Sequence, residues 1–436
     1  ALDYQKKALV LCNQLYGKTH PKLADIYSEM GSTHYRQKEF EQAGEYAIKA
    51  ASIRENSFGK NHQLTALAYS NAGLYNLQMG NYEKGFKYYD TAISIYSNLY
   101  GKKSEKYLTP CENMASTCFS AKQYKQCAKI YESTLKSRIK SEGEKSENVA
   151  SLYNKIGQCY EAMNSEDSIV WYEKSIELNK NIFGKNHRIL INQMTILANA
   201  YYKFEKYEQS LKYYNQILDT VSVDNSTNFD LLLHIYLGKT AVLKKTGLNS
   251  GAVKTLEDAI SVFKKHKAKE QSILTLTYNL AFACSMGKDY ANALKHFETA
   301  LALIEKLKQD EINKKNEDIY SYICREMAMI YLHSCSDYMS SVLYFEKCIP
   351  QYRKKYPDTA ELAQLYKDAA FPFFKLAQYD KAREYCIAAR DIFLKYYEET
   401  HEKIKDINGI LEHIYNKQFG NNEIEINDGE ESFFVQ

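Results

Sequence analysis

The chain has 436 residues, of which 45% are hydrophobic and 25% charged, and its formal net charge at pH 7 is +3. This charge is too modest to predict nucleic-acid binding, and no apolar run approaches the roughly 20 residues that a membrane-spanning helix needs. The ten cysteines include no Cys-x-x-Cys pair, so we expect buried, reduced thiols, which fits a cytosolic protein.

The first 21 residues have the pattern of the second helix and turn of a repeat whose first helix is missing. The helix would span Tyr4–Tyr16, and Ala8 precedes Gly17 by nine residues, just as Ala50 precedes Gly59. Because the chain also lacks an initiator Met, we expect it to be a fragment, or the ordered part, of a longer protein.

Five glycines recur at intervals of 42, 42, 42 and 41 residues, each at the end of a helix-like run. They are Gly17, Gly59, Gly101, Gly143 and Gly184. Within each period a small residue in one helix is followed by others 12 and 19 positions later, as at Gly31, Ala43 and Ala50. Small residues let antiparallel helices approach closely. The sequence therefore predicts an all-α, right-handed superhelical solenoid of antiparallel helix pairs.

The period predicts about nine helix pairs over residues 22–400. Small residues mark the first helices at Gly31, Gly73, Ala115, Gly157, Ala198, Thr240, Ala281, Ala328 and Ala370. One interval lengthens to 47 residues, which predicts an exposed loop or helix extension near residues 305–318. Residues 401–420 are expected to form a capping helix, because solenoids need a terminal element with a polar outer face. Residues 421–436 hold five acids and no Lys or Arg, and predict a disordered acidic tail.

The turns share a pattern, Tyr-Gly-Lys-Thr-His at 16–20 and Phe-Gly-Lys-Asn-His at 58–62 and 183–187. With the helix pairs, this pattern resembles the tetratricopeptide repeat (TPR) over about residues 1–400. The period of 42, longer than the usual spacing of about 34 residues, resembles the kinesin light chain subtype. The resemblance implies that extended peptides bind on the concave face. In the kinesin light chain family such peptides carry an aromatic or leucine anchor flanked by acids.

Candidate groove residues follow the small residue of each first helix by one, four or five positions, where helical periodicity turns them toward the concave face. The set is Tyr35, Arg36, Phe119, Asn199, Tyr202, Lys203, Lys244, Lys245, Phe282, Phe371, Phe374 and Lys375. The later two positions contain a single acid, Glu161. An apolar wall with cations suits an acidic peptide with an apolar anchor. The alternative is that these side chains pack between neighbouring first helices.

No phosphate-binding loop, nucleophile elbow or metal-ligand motif occurs, so the sequence predicts no enzyme, no cofactor and no metal site. His20, His62 and His187 recur with the turn but lie one repeat apart, which favours capping over metal binding. We therefore expect a cytoplasmic adaptor or scaffold that belongs to a larger complex and binds a protein or peptide, with neither nucleic-acid binding nor membrane insertion.

Two alternative functions stay open. The chain could be a constitutive structural subunit of a large cytoskeletal or ciliary assembly, where its 39 tyrosines would suit broad contacts. It could also be the recognition arm of an enzyme whose catalytic domain lies upstream of Ala1. For the acidic tail, the alternative to disorder is that Phe433 and Phe434 anchor it in the groove.

Overall fold

A computed structural model describes residues 2–184, 187–221, 223, 227–308 and 314–420. These residues are all-α, as predicted, and the chain divides into two compact units, Ala1–Val221 and Ser222–Gln436. The acidic tail at 421–436 and residues 309–313 of the predicted insertion lie outside the described residues.

The first unit contains eleven helices in its described residues. They are α1 (Leu2–Tyr16), α2 (Pro21–Arg36), α3 (Phe40–Phe58), α4 (Gln63–Gln78), α5 (Tyr82–Tyr100), α6 (Glu105–Ser120), α7 (Tyr124–Glu142), α8 (Glu147–Ala162), α9 (Asp167–Phe183), α10 (Arg188–Lys203) and α11 (Tyr207–Thr220). α1 packs on α2, and five antiparallel pairs follow, from α2/α3 to α10/α11. Because each pair packs on its sequence neighbours, the core is a row of short-range contacts.

The second unit contains nine helices in its described residues. They are α12 (Phe229–Lys245), α13 (Asn249–Lys265), α14 (Glu270–Met286), α15 (Tyr290–Lys308), α16 (Lys314–His333), α17 (Tyr338–Lys355), α18 (Ala360–Lys375), α19 (Tyr379–Phe393) and α20 (Glu402–Phe419). Four pairs, from α12/α13 to α18/α19, are followed by α20, which packs on α19. α16 has 20 residues where α2 has 16, so part of the extra length at the predicted insertion is helix.

Close approach within a pair depends on the small residues that the sequence pattern singles out. A Cβ added at Gly73 would lie 2.4 Å from Cδ1 of Tyr89, and one at Gly157 would lie 2.7 Å from Cδ1 of Tyr172. Each tyrosine ring therefore lies directly against the backbone of the first helix. The rings are 3% and 2% exposed, so they fill the space between the helices with apolar surface.

The turns between repeats combine a glycine with a helix-capping residue. Gly59 has φ 85° and ψ 170°, and Gly101 has φ 72° and ψ 156°, a backbone region that is essentially restricted to glycine. Three residues after Gly59, His62 begins the next helix, and its Nδ1 accepts the backbone N–H of Leu64 at 3.2 Å. The His62 ring also stacks on Phe58, with centroids 4.6 Å apart. The recurring pattern thus sets both the end of one helix and the start of the next.

The same cap recurs along the chain. Further histidines that accept a backbone N–H two residues ahead are His20, His187 and His401. At two turns a serine hydroxyl is the cap instead. Ser104 accepts the backbone N–H of Lys106 at 3.2 Å, and Ser146 accepts that of Asn148 at 3.1 Å. The capping role predicted for the turn histidines is confirmed, and each lies in a separate turn.

We expect His62→Ala to weaken the start of α4 by about 1 kcal/mol, the usual cost of removing an N-cap acceptor. His62→Ser should cost less, because serine serves as the cap at position 104. Amide hydrogen exchange of the first turn of α4 would measure the difference. Equal exchange rates in the two variants would show that stacking on Phe58, and not the cap, stabilises this turn.

A network of charged side chains around a buried arginine connects three helices of the first unit. Arg138 on α7 is 5% exposed, and its guanidinium donates to Glu105 and Glu112 of α6 and to Glu142 of its own helix. Lys155 of α8 donates to the second oxygen of Glu112 at 2.9 Å. Removing one partner from such a buried network leaves an uncompensated charge, so the network strongly favours this one arrangement of α6, α7 and α8.

This network makes stability depend on pH through Glu142. Burial disfavours its charged form, but hydrogen bonds to the carboxylate outweigh that effect and lower the pKa of Glu142 below the ordinary 4.5. The donors are Ser146, Arg138 and Asn148. A lowered pKa contributes stability that is present above the pKa of the unfolded chain and is lost as pH falls through the folded value.

We therefore expect Glu142→Gln to lower Tm at pH 7, with the difference from the parent chain shrinking as pH falls below about 4. Thermal unfolding followed by circular dichroism over this pH range measures it. Glu144→Gln, at an exposed neighbour, is the control and should change Tm little at any pH. A constant Tm difference between Glu142→Gln and the parent at all pH values would contradict the linkage.

Candidate functional site

The twelve candidate residues lie on six first helices and cluster toward their C-terminal ends. Arg36, Lys203, Lys245 and Lys375 are the last residues of α2, α10, α12 and α18. The carbonyl end of a helix carries partial negative charge, which a cation stabilises. These four cations therefore have a structural role at the helix end, and the sequence pattern alone did not separate that role from binding.

In the first unit, three candidate aromatics close the turn within their own repeat. Tyr35 contacts Phe40 with ring centroids 5.7 Å apart. Likewise, Phe119 contacts Tyr124 at 5.2 Å and Tyr202 contacts Tyr207 at 5.7 Å. Each partner is the aromatic five residues later that opens the second helix. That repeated spacing was visible in the sequence and would have identified this contact.

Tyr35 and Arg36 lie near a buried tyrosine of the next first helix. Tyr35 is half-buried and stacks on Tyr75 of the next first helix, with centroids 5.1 Å apart. Burial raises the pKa of Tyr75, and the positive charge of Arg36 partly opposes the rise. Arg36 itself is exposed. Tyr35 therefore presents a half-buried ring near an exposed cation, whereas Tyr75 is buried beneath it.

The polar candidates of the first unit are mostly engaged with the protein. Lys203 Nζ donates to the backbone carbonyl of Glu161 at 2.8 Å, at the end of the preceding first helix. Asn199 is exposed and accepts a hydrogen bond from the hydroxyl of Tyr214. Glu161, the one acid expected in the set, accepts from Tyr172 at 2.7 Å.

In the second unit, a lysine lies over an aromatic ring of the next first helix. Lys244 Nζ is 4.7 Å from the ring centroid of Phe282, and both residues are half-buried. Burial lowers the pKa of Lys244. Phe282 in turn contacts Tyr322, whose ring centroid is 6.4 Å away, and Lys245 is exposed. The structure thus brings together a cation and an aromatic surface from α12, α14 and α16.

Two carboxyl groups on the first helices of this unit were missed, because only three positions per helix were considered. Glu326 on α16 and Asp368 on α18 are half-buried, and burial raises the pKa of both. Glu326 also raises the pKa of Tyr322 through its negative charge. The inner surface of this unit is therefore mixed in charge, where the sequence predicted cations and aromatics.

Phe371 and Phe374 do not form an accessible wall, contrary to the prediction. Each is 7% exposed and belongs to the core of the second unit. Phe371 contacts Tyr338 with centroids 6.1 Å apart, and Phe374 contacts His413 of α20 at 5.2 Å. Lys375 lies over Phe371, with its Nζ 5.3 Å from the ring centroid. Tyr338 of α17 covers Phe371 and His413 of α20 covers Phe374, which explains the correction.

Within the described residues, no group of three or more His, Cys, Asp or Glu side chains is arranged to hold a metal ion. Of the helices described above, none is long and apolar enough to cross a membrane.

The sequence profile of the tetratricopeptide repeat family matches residues 23–98 and 108–178. The match supports, for these two stretches, the family assignment made from the turns and helix pairs. No curated protein matches the chain.

Similar solved structures include a candidate kinesin light chain from Podospora anserina, whose TPR-like repeats are nearly identical to one another. It is 15% identical to this chain, with 46% of this chain and 96% of that chain covered and a TM-score of 0.40. The apo form of RapI is 11% identical, with coverages of 86% and 98% and a TM-score of 0.48. The apo form of the quorum sensor NprR from B. thuringiensis is 17% identical, with coverages of 88% and 99% and a TM-score of 0.40.

The different burial of the candidate aromatics makes a test of their roles possible. We expect Phe374→Ala to destabilise α18 and α20 by about 3–5 kcal/mol, because a core ring is replaced by a cavity. Tyr35→Ala, which removes a half-buried ring, should cost about 1–2 kcal/mol. Hydrogen exchange helix by helix is the suitable measurement, since repeat arrays need not unfold in one step. Unchanged protection of α20 in Phe374→Ala would contradict the burial of this ring against α20.

Proposed function

We propose that this chain is a non-enzymatic protein-interaction adaptor or scaffold that binds acidic peptide segments carrying an aromatic or leucine anchor. The observation that carries the proposal is the position of Lys244 over Phe282, with the exposed Lys245 beside it. A cation and an apolar surface from adjacent repeats then face one short segment of a ligand.

Lys244 suits an acidic ligand because it is partly removed from water. Burial lowers its pKa, so its charged form lacks part of its hydration and benefits from a carboxylate nearby. Electrostatic attraction also grows as the local dielectric falls. Lys245, at the end of the same helix, can contact a second carboxylate without losing its hydration.

The apolar anchor would lie on the ring side of this site. Phe282 and Tyr322 present half-buried rings, which gain by covering further apolar area. Glu326 lies on the Tyr322 side, so a ligand carboxylate is disfavoured there and an uncharged anchor is favoured. The mixed charge of this surface therefore orients a ligand with its acids toward α12.

The first unit offers the same chemistry on a smaller scale. Tyr35 supplies a half-buried ring that stacks on the buried Tyr75, and the exposed Arg36 supplies the cation. Phe119 and Tyr202 are used in closing their turns, and Lys203 is held by a backbone carbonyl. We infer that Tyr35 and Arg36 are the residues of this unit best placed to bind a peptide.

We further propose that the protein acts in the cytoplasm, as part of a larger complex and without nucleic-acid ligands. Nine of the ten cysteines are buried and all ten are free thiols, which supports a reducing compartment. A near-balanced charge of +3 supports protein partners over nucleic acid.

The test is binding of a fluorescent acidic peptide with a single tryptophan anchor, measured by anisotropy with the full chain. Lys244→Glu/Lys245→Glu should weaken binding more than tenfold, because two attractive charges become repulsive. Lys264→Glu/Lys265→Glu is the matched control: these exposed lysines end α13, so the charge change, the kind of helix end and the unit are the same. The control should bind within about twofold of the parent.

A second peptide, with the tryptophan replaced by serine, tests the anchor and should bind weakly to every variant. An equal loss of peptide affinity in the α12 and α13 variants would show that only net charge matters, and would contradict a site at Lys244 and Lys245. A loss of peptide affinity in the α13 variant alone would indicate an interface on the second helices. It would favour the structural-subunit alternative.

A further inference from the structure

A row of unpaired lysines lies along α7 and the turn directly before it. This lysine stripe consists of Lys122, Lys125, Lys129, Lys136 and Lys140. All five are exposed, and at 100° per residue the four that lie on α7 fall within about 60° of the helix circumference, with Lys122 in the turn directly before the helix. The helical rise of 1.5 Å per residue spreads the four lysines of α7 over about 23 Å.

The positive charge of the stripe is not neutralised by the protein. Within the described part of the chain, none of the five lysines forms an ion pair, whereas Lys155, Lys206 and Lys381 each do. The one acid on this side of α7, Glu132, accepts a hydrogen bond from Tyr160 at 2.9 Å. The nearby Glu142 is bound to the buried guanidinium described above.

The repeat architecture does not require these lysines. The positions equivalent to Lys125 hold Glu41 in α3, Glu83 in α5 and Glu166 directly before α9. The position of Lys136 corresponds to Glu177 in α9. Since the neighbouring copies fold with the opposite charge at these places, the stripe is a local feature of α7 and has no general packing role.

We propose that the lysine stripe binds an acidic segment of a partner protein. This surface is distinct from the one formed by Lys244, Lys245 and Phe282. An extended segment of about seven residues spans about 23 Å, so its carboxylates can follow the row on α7. The stripe is one helix wide, and the next second helix carries exposed Glu173 and Glu177. A membrane or a nucleic-acid duplex is broader and would also meet these acids, which disfavours both as ligands.

The test uses the full chain and a fluorescent oligo-glutamate peptide of about ten residues, with anisotropy at low and physiological salt. The stripe variant replaces four lysines by glutamine, Lys125, Lys129, Lys136 and Lys140. The control variant replaces four exposed, unpaired lysines on separate elements of the same unit, Lys38, Lys84, Lys102 and Lys212. Both variants change the net charge equally, and glutamine preserves helix propensity.

The stripe variant should bind about tenfold more weakly, the sum of four modest surface pairs, and the control within about twofold of the parent. Binding by the parent should also weaken as salt rises. Lys244→Glu/Lys245→Glu should retain the peptide, since oligo-glutamate lacks an apolar anchor. Absent peptide binding, or equal loss in stripe and control variants, would overturn the proposal. So would stripe-dependent binding of phosphatidylserine vesicles or an oligonucleotide in place of the peptide.

Discussion

The close contact between a small residue on one helix and an aromatic ring on its partner is the constraint on which the rest of the structure depends. At Gly73 and Gly157 the tyrosine rings leave no space for even a Cβ. Because dense packing tolerates little change in volume, this contact fixes how far apart the two helices of a pair lie. The distance within a pair then determines which side chains of successive first helices can meet, including Lys244 and Phe282.

Helix ends connect this packing to the proposed binding surface. The turns between repeats fix where each first helix begins, through a glycine in a glycine-only region and a histidine or serine cap. The opposite end of the same helix carries the partial negative charge that favours Arg36, Lys203 and Lys245. A cation that stabilises its own helix end is also placed at the edge of the inner surface. For Arg36 and Lys245, stability and the proposed recognition therefore draw on the same residues, which is why sequence reasoning found them without separating the two roles.

The period of the sequence was sufficient to predict the helix pairs, the small-residue contacts and the capping histidines, because each depends on residues close in the chain. The fate of individual groove residues depends on contacts that the period does not contain. Phe374 is covered by His413, from a helix that departs from the repeat pattern. Tyr35, Phe119 and Tyr202 are half-covered by an aromatic five residues later, a signal that a search confined to first helices overlooks.

A repeat array separates positions that must stay alike from positions that are free to differ, and specific function has to arise at the second kind. The packing positions hold Gly, Ala, Cys or Ser in copy after copy, with exposures near zero. Between them, equivalent positions at the starts of successive second helices hold Glu83, Lys125 and Glu166. Nothing in the packing of a pair distinguishes these charges, because all three are exposed. A surface that departs from its neighbours in this way is not explained by the fold, so its cause is best sought in a ligand.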